Sequence, residues 1–105
     1  MALIETLKTI YNRDLNRLRQ DIELYKNESN LWKIDKEITN SAGNLCLHLI
    51  GNLNAFIGKE IGNIDYSRNR PQEFSSTNIP KAELLKKIDE TISIVNLSLD
   101  KLTPD

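Results

Sequence analysis

Between Ser41 and Gly58 the chain reads SAGNLCLHLIGNLNAFIG, eighteen residues without a Lys, Arg, Asp or Glu. At 3.6 residues per turn this is about five turns of helix. A surface helix of a small protein carries charge on its wet side, so this one has to be enclosed by other parts of the molecule. A membrane span is the other reading of such a run. Asn44, His48, Asn52 and Asn54 fall inside it, however, and its length is marginal for a bilayer, so no membrane partner is expected.

The rest of the chain must supply that enclosure. From Ile4 the apolar residues recur at Leu7, Tyr11, Leu15, Leu18, Ile22 and Tyr25, a mean spacing of 3.5 residues that predicts one amphipathic helix over about 2–26. Its other face interleaves Glu5, Lys8, Arg13, Asp14, Arg17, Arg19, Asp21 and Glu23, the mixture of a solvated surface. The uncharged helix follows over about 41–61, capped by Asn40 or Ser41. A third runs over about 80–102, opened by Pro80 in its first turn, striped by Leu84, Ile88, Ile92, Val95, Leu99 and Leu102, and stopped by Thr103 and Pro104.

Two connections join the three helices. Residues 27–40 lose the period and hold Trp32, Ile34 and Ile38 among polar residues, which predicts apolar side chains folding back over one end of the bundle. Residues 62–79 break into Gly, Asn, Asp, Pro and Ser and form a long crossover loop. At ~3.3 Å per residue those 18 residues reach nearly ~60 Å, twice the ~30 Å length of a 20-residue helix. The second and third helices are therefore expected to run parallel, since short loops would force antiparallel neighbours. With 105 residues the reading is a single all-α domain over 1–105.

Charge and cysteine content narrow the function. The 14 Lys and Arg are balanced by 15 Asp and Glu, a net charge of −1, which lacks the basic excess that binding nucleic acid requires. A lone Cys46 cannot form an internal disulfide, and MALIETLKTIYNRD has neither a basic lead nor an unbroken apolar core, so a cytoplasmic protein is expected.

On a helical wheel Leu45, Cys46, Leu49, Ile50, Leu53, Phe56 and Ile57 share one broad sector with Cys46 near its middle, the place of a buried, inert thiol. His48 lies away from that centre, in a strip made by Ser41, Asn44, Gly51, Asn52 and Ala55. The strip is polar or small throughout and suits the lining of an enclosed wet cavity. As the one imidazole in the chain, His48 is the one candidate for a neutral-pH base or a nitrogen ligand, and a satisfied buried histidine is the competing reading. Asn44 and Asn52, one turn to either side, are placed to hold its ring in one orientation. Ser41 is two turns away, too far for nucleophile and base to meet, and Cys46 falls on a different face, so His48 and Cys46 cannot chelate one ion.

The stretch NSAGNLCLHLIGNLNAFIG (Asn40 to Gly58), followed by GNIDYSRNRPQEFS (Gly62 to Ser75), resembles the DinB-like superfamily. These are bacterial four-helix bundles that include YfiT-type and bacillithiol or mycothiol S-transferase-like proteins, and the likeness is nearest to an uncharacterised branch. The resemblance implies an up-down-down-up four-helix bundle with a long connection between its second and third helices. It also implies a divalent metal, nickel or zinc, held by one histidine on the second helix, which His48 matches, and by a pair one turn apart on the fourth. That pair has no counterpart here, and the fourth helix is absent from a chain ending at Asp105.

One imidazole cannot fix a catalytic metal that takes three protein ligands. The resemblance therefore implies a metal-dependent thiol S-transferase or hydrolase of a small-molecule substrate when intact, and inactivity for the truncated chain. Without a fourth helix the groove between the other three exposes apolar surface, for which a homodimer is the simplest cover. A non-catalytic module that self-associates through this groove is the alternative function. In the crossover, Tyr66, Arg68, Arg70, Glu73 and Phe74 match the branch's loop pattern. Tyr66, Arg68 and Arg70 are candidates for contact with a substrate or anion, and pairing of the arginines with Asp65 or Glu73, tethering the crossover to the bundle, is the competing role.

Overall fold

The computed structural model describes residues 2–34 and 40–102, so the expectations for Ile38, Thr103 and Pro104 fall outside the described residues. Among those described, every regular element is helical: α1 (Ala2–Glu23), a 3-10 turn (Glu28–Trp32), α2 (Ala42–Leu53), a π-helical continuation of α2 (Asn54–Lys59), α3 (Arg70–Ser75) and α4 (Lys81–Asp100). No helix is long and apolar enough to cross a membrane among these residues.

The boundaries depart from expectation in ways that have local causes. The first helix ends at Glu23 rather than 26, where the Tyr25 amide turns back to the Ile22 carbonyl and tightens the last turn. Ser41, not Asn40, caps α2: its hydroxyl accepts from the Asn44 amide at 3.1 Å. Pro80 stands one residue before α4, in an extended conformation, instead of inside the first turn. The largest departure is α3, which interrupts the expected loop over 62–79. Asn69 caps it through the Gln72 amide and Pro71 sits in its first turn, so the Asn-Arg-Pro-x-Glu pattern was a helix-start signal. Asn63 and Asn78 adopt left-handed backbone near the two ends of this crossover, a conformation Asn tolerates better than most residues.

Side-chain contacts set the directions of the long helices. Lys8 pairs with Asp100, Asn12 with Asn96, and Arg19 with Asp89, and each pair of numbers adds to 108, as only antiparallel helices allow. Between α2 and α4 the numbers rise together: Asn54 bonds Thr91, and Gly58 lies against Ile94. These two helices are parallel, as the length of the crossover predicted.

The core divides into two layers. In one, Ile4 and Leu15 of α1 meet Leu53, Ile57, Val95 and Leu99; in the other, Ile22 meets Cys46, Ile50, Leu84 and Ile88. Leu31 from the 3-10 turn is fully buried in the second layer, and the Trp32 ring lies flat against Gly43, where a Cβ would come within 2.7 Å of it. Ile34, expected to fold back with them, is exposed instead. The uncharged helix is also not fully enclosed. Leu45, Leu49 and Phe56, at 48%, 36% and 59% exposure, form an open flank on α2 beside its buried edge.

This packing separates core from surface along α4. Ile88→Ala should lower the unfolding free energy by about 2–5 kcal/mol, whereas Leu97→Ala on the exposed side should change it by no more than about 0.5 kcal/mol. Urea denaturation followed by circular dichroism measures both. Similar losses at the two positions would contradict the assignment of faces.

Candidate functional site

The polar strip of α2 meets the crossover and does not line a wet cavity. Asn44, 4% exposed, donates its side-chain amide to the carbonyls of Glu73 at 3.1 Å and Ser76 at 2.7 Å, fastening the far end of α3 to α2. Two turns along, Gly51 leaves a notch for the Glu73 carboxylate, and a Cβ at that position would overlap Oε2. Because α3 begins at Arg70, Glu73 sits in its first turn and faces α2.

Three charged or ionisable groups converge in that notch. Arg68 donates through Nε to Oε2 of Glu73 at 2.9 Å and through Nη2 to Oε1 at 3.0 Å, a bidentate pair. His48 Nδ1 lies 3.2 Å from the same Oε1 and 3.3 Å from Arg68 Nη2. The ionised carboxylate can only accept and Arg68 Nη2 already donates to it, so we assign the imidazole proton to Nδ1, where it donates to Oε1 and leaves Nε2 with a lone pair. The Arg68 Nη2 approach to Nδ1 is then a contact between two donors and not a hydrogen bond. Phe74 packs against the ring at a centroid distance of 5.0 Å and a tilt of 36°. Side-chain exposure falls from 30% at His48 to 18% at Arg68 and 8% at Glu73, so the charge at the centre is the most enclosed.

Electrostatics follow from that enclosure. Burial by itself raises the pKa of the Glu73 carboxyl, but the hydrogen bonds from Arg68 and His48 oppose it and carry the value below the usual carboxylate range. Burial, together with the nearby Glu73 charge, raises the Tyr66 hydroxyl above its ordinary value against the opposing pull of Arg68, so it stays a neutral donor. Burial pushes the Cys46 thiol up to about 12, in keeping with an inert core cysteine.

The candidate residues are thus sorted by contact. His48 and Arg68 come together; Asn44 is turned to the crossover backbone and not to the imidazole. Asn52 is half-buried and makes no hydrogen bond to the ring. Arg70 is exposed at the start of α3, whereas Tyr66 is half-buried along a cleft beside Glu73. Between the two roles weighed for the arginines, Arg68 takes the tether through Glu73. The sequence pattern offers Glu73 only as such a tether and does not show its hold on the imidazole. Gly51, one turn beyond His48, was the available signal, because a gap in that strip has to admit something.

No group of three or more His, Cys, Asp or Glu is placed to hold a metal ion among the described residues. The donor set fits a single nitrogen ligand, His48 Nε2, because the neighbouring carboxylate is already bound by Arg68. Comparisons with family models, with curated proteins and with solved structures returned no match to this chain.

The depressed carboxyl makes a signed prediction. Glu73 contributes stability that is present above its ordinary value of 4.5 and lost as pH falls from there through its lower folded value. Glu73→Gln should therefore be less stable than the natural chain near pH 7, and the gap should shrink below about pH 4.5. Urea midpoints across pH 3–7 report it, and a gap of constant size would contradict the ionised clasp.

Proposed function

We propose that this chain is a DinB-like helical-bundle protein in which His48 supplies one nitrogen ligand to a divalent metal, nickel or zinc, in the assembled protein. The observation that carries this reading is the hydrogen bond from His48 Nδ1 to a buried carboxylate. Ligating histidines commonly donate their second nitrogen to such a group, which fixes the tautomer and aims the other lone pair. Glu73 orients the ring, Arg68 keeps Glu73 ionised, and Phe74 covers one side of the imidazole. Further ligands come from outside the described residues of a single copy. When bound, the metal activates a water or thiol, which matches a small-molecule thiol S-transferase or a hydrolase.

A second reading rests on a different observation. Leu45, Leu49 and Phe56 form an open apolar flank on α2, a surface that a second copy could cover. On this reading the chain is a non-catalytic helical module that forms a homodimer through the flank.

Metal analysis with sedimentation tests both. Nickel or zinc should bind the assembled natural protein, be lost in His48→Ala with helix content retained, and bind about 10–100-fold more weakly in Glu73→Gln. Equal metal content in the natural chain and His48→Ala would overturn the first reading. A His48→Ala dimer, with no metal in either protein, would establish the second, and monomers at high concentration would exclude it.

A further inference from the structure

The imidazole and the open flank of α2 are neighbours on one helix. Leu45, Leu49, Asn52 and Phe56 follow one another at steps of four, three and four residues, the spacing at which a helix presents a seam to a second helix. The three apolar members of that seam are exposed. His48 borders it, three residues after Leu45 and four before Asn52, and so one turn from each. Its side chain keeps 30% exposure although Glu73 holds Nδ1.

One imidazole binds a divalent ion weakly, and these 105 residues contain no second histidine. Cys46 is shut in the core, and both carboxylate oxygens of Glu73 are engaged by Arg68. A second nitrogen ligand therefore comes from another molecule, and the flank indicates which. Because α2 carries no charged side chain, a partner selected by opposite charge finds nothing there to pair with. A second copy instead covers an uncharged apolar seam with an identical one and desolvates no ion of α2.

Two-fold symmetry also decides the sense of pairing. With the axis along the two helices, their His48 side chains would fall on opposite edges of the seam. With the axis across the helices at the level of His48, both imidazoles fall on the same edge and face each other. We infer that two copies of this chain pair antiparallel through the α2 flank and share one zinc ion between the Nε2 atoms of their His48 side chains. The inference rests on the reading of His48 as a metal ligand and adds the source of the next ligand. In each copy Glu73 holds Nδ1 and so leaves Nε2 free for the ion.

Zinc titration of the full chain, followed by sedimentation velocity and by the zinc bound, tests the inference. Zinc should tighten the dimer by about tenfold or more relative to chelator-treated protein, and by linkage the dimer tightens zinc by the same factor. The dimer should carry one zinc ion for two chains, with two imidazoles at each ion by X-ray absorption. His48→Ala should lose the response to zinc. Phe56→Arg, at an exposed position about two turns from His48, should weaken the dimer and zinc binding together while leaving helix content intact. One zinc ion on each monomer, lost in His48→Ala, would overturn the shared site and leave His48 as a ligand within one chain. A dimer equally strong with zinc, with chelator and in His48→Ala would show that the flank pairs without the imidazole, which also overturns it. A natural chain that takes up no zinc at any concentration of protein would overturn both this inference and the reading it rests on.

Discussion

A carboxylate removed from water has to be surrounded by donors, and the path of the crossover follows from how Glu73 meets that demand. Its side chain is 8% exposed, and Arg68 reaches it from five residues upstream while His48 reaches it from α2. Neither donor is sufficient alone: Arg68 belongs to the same segment and fixes only its local shape, whereas His48 attaches that shape to the bundle. Asn44 adds two hydrogen bonds to the backbone of the same segment, so α3 is held at both ends. Separating the partners would leave an enclosed charge without compensation, which makes such an arrangement far more costly to break than an exposed ion pair.

The crossover can lie on α2 because α2 divides its surface by size and polarity. Cys46, Ile50, Leu53 and Ile57 enter the core, and the small or polar residues one step around the helix admit the crossover. Leu45, Leu49 and Phe56, farther around, are left facing outward. Absence of charge over five turns thus has three causes. The first face is buried in apolar core and the second is occupied by α3, while the third is apolar and open, the feature that favours association.

Much of this was legible before any coordinates. Apolar periodicity located α1 and α4, the charge-free run located α2, and the reach of residues 62–79 was enough to make α2 and α4 parallel. The short α3 was missed because six residues are too few for an apolar period to show, although its Asn cap and Pro marked the start. The orientation of Asn44 was beyond reach from sequence, since its position one turn from His48 suits the ring and the crossover equally. Its choice depends on where the Glu73 and Ser76 carbonyls come to rest.

Local order in the chain therefore determined the elements: apolar spacing, caps and a long charge-free run each act within a few turns, where propensity and burial of one stripe dominate. Tertiary structure alone decided the partners. Arg68, Glu73 and His48 are brought together from two segments 20 to 25 residues apart, and which of several polar groups a buried charge selects depends on distances that only the folded chain sets. The same holds for the cleft between Tyr66 and Lys87, whose walls come from α2, the crossover and α4 and exist only after all three have packed.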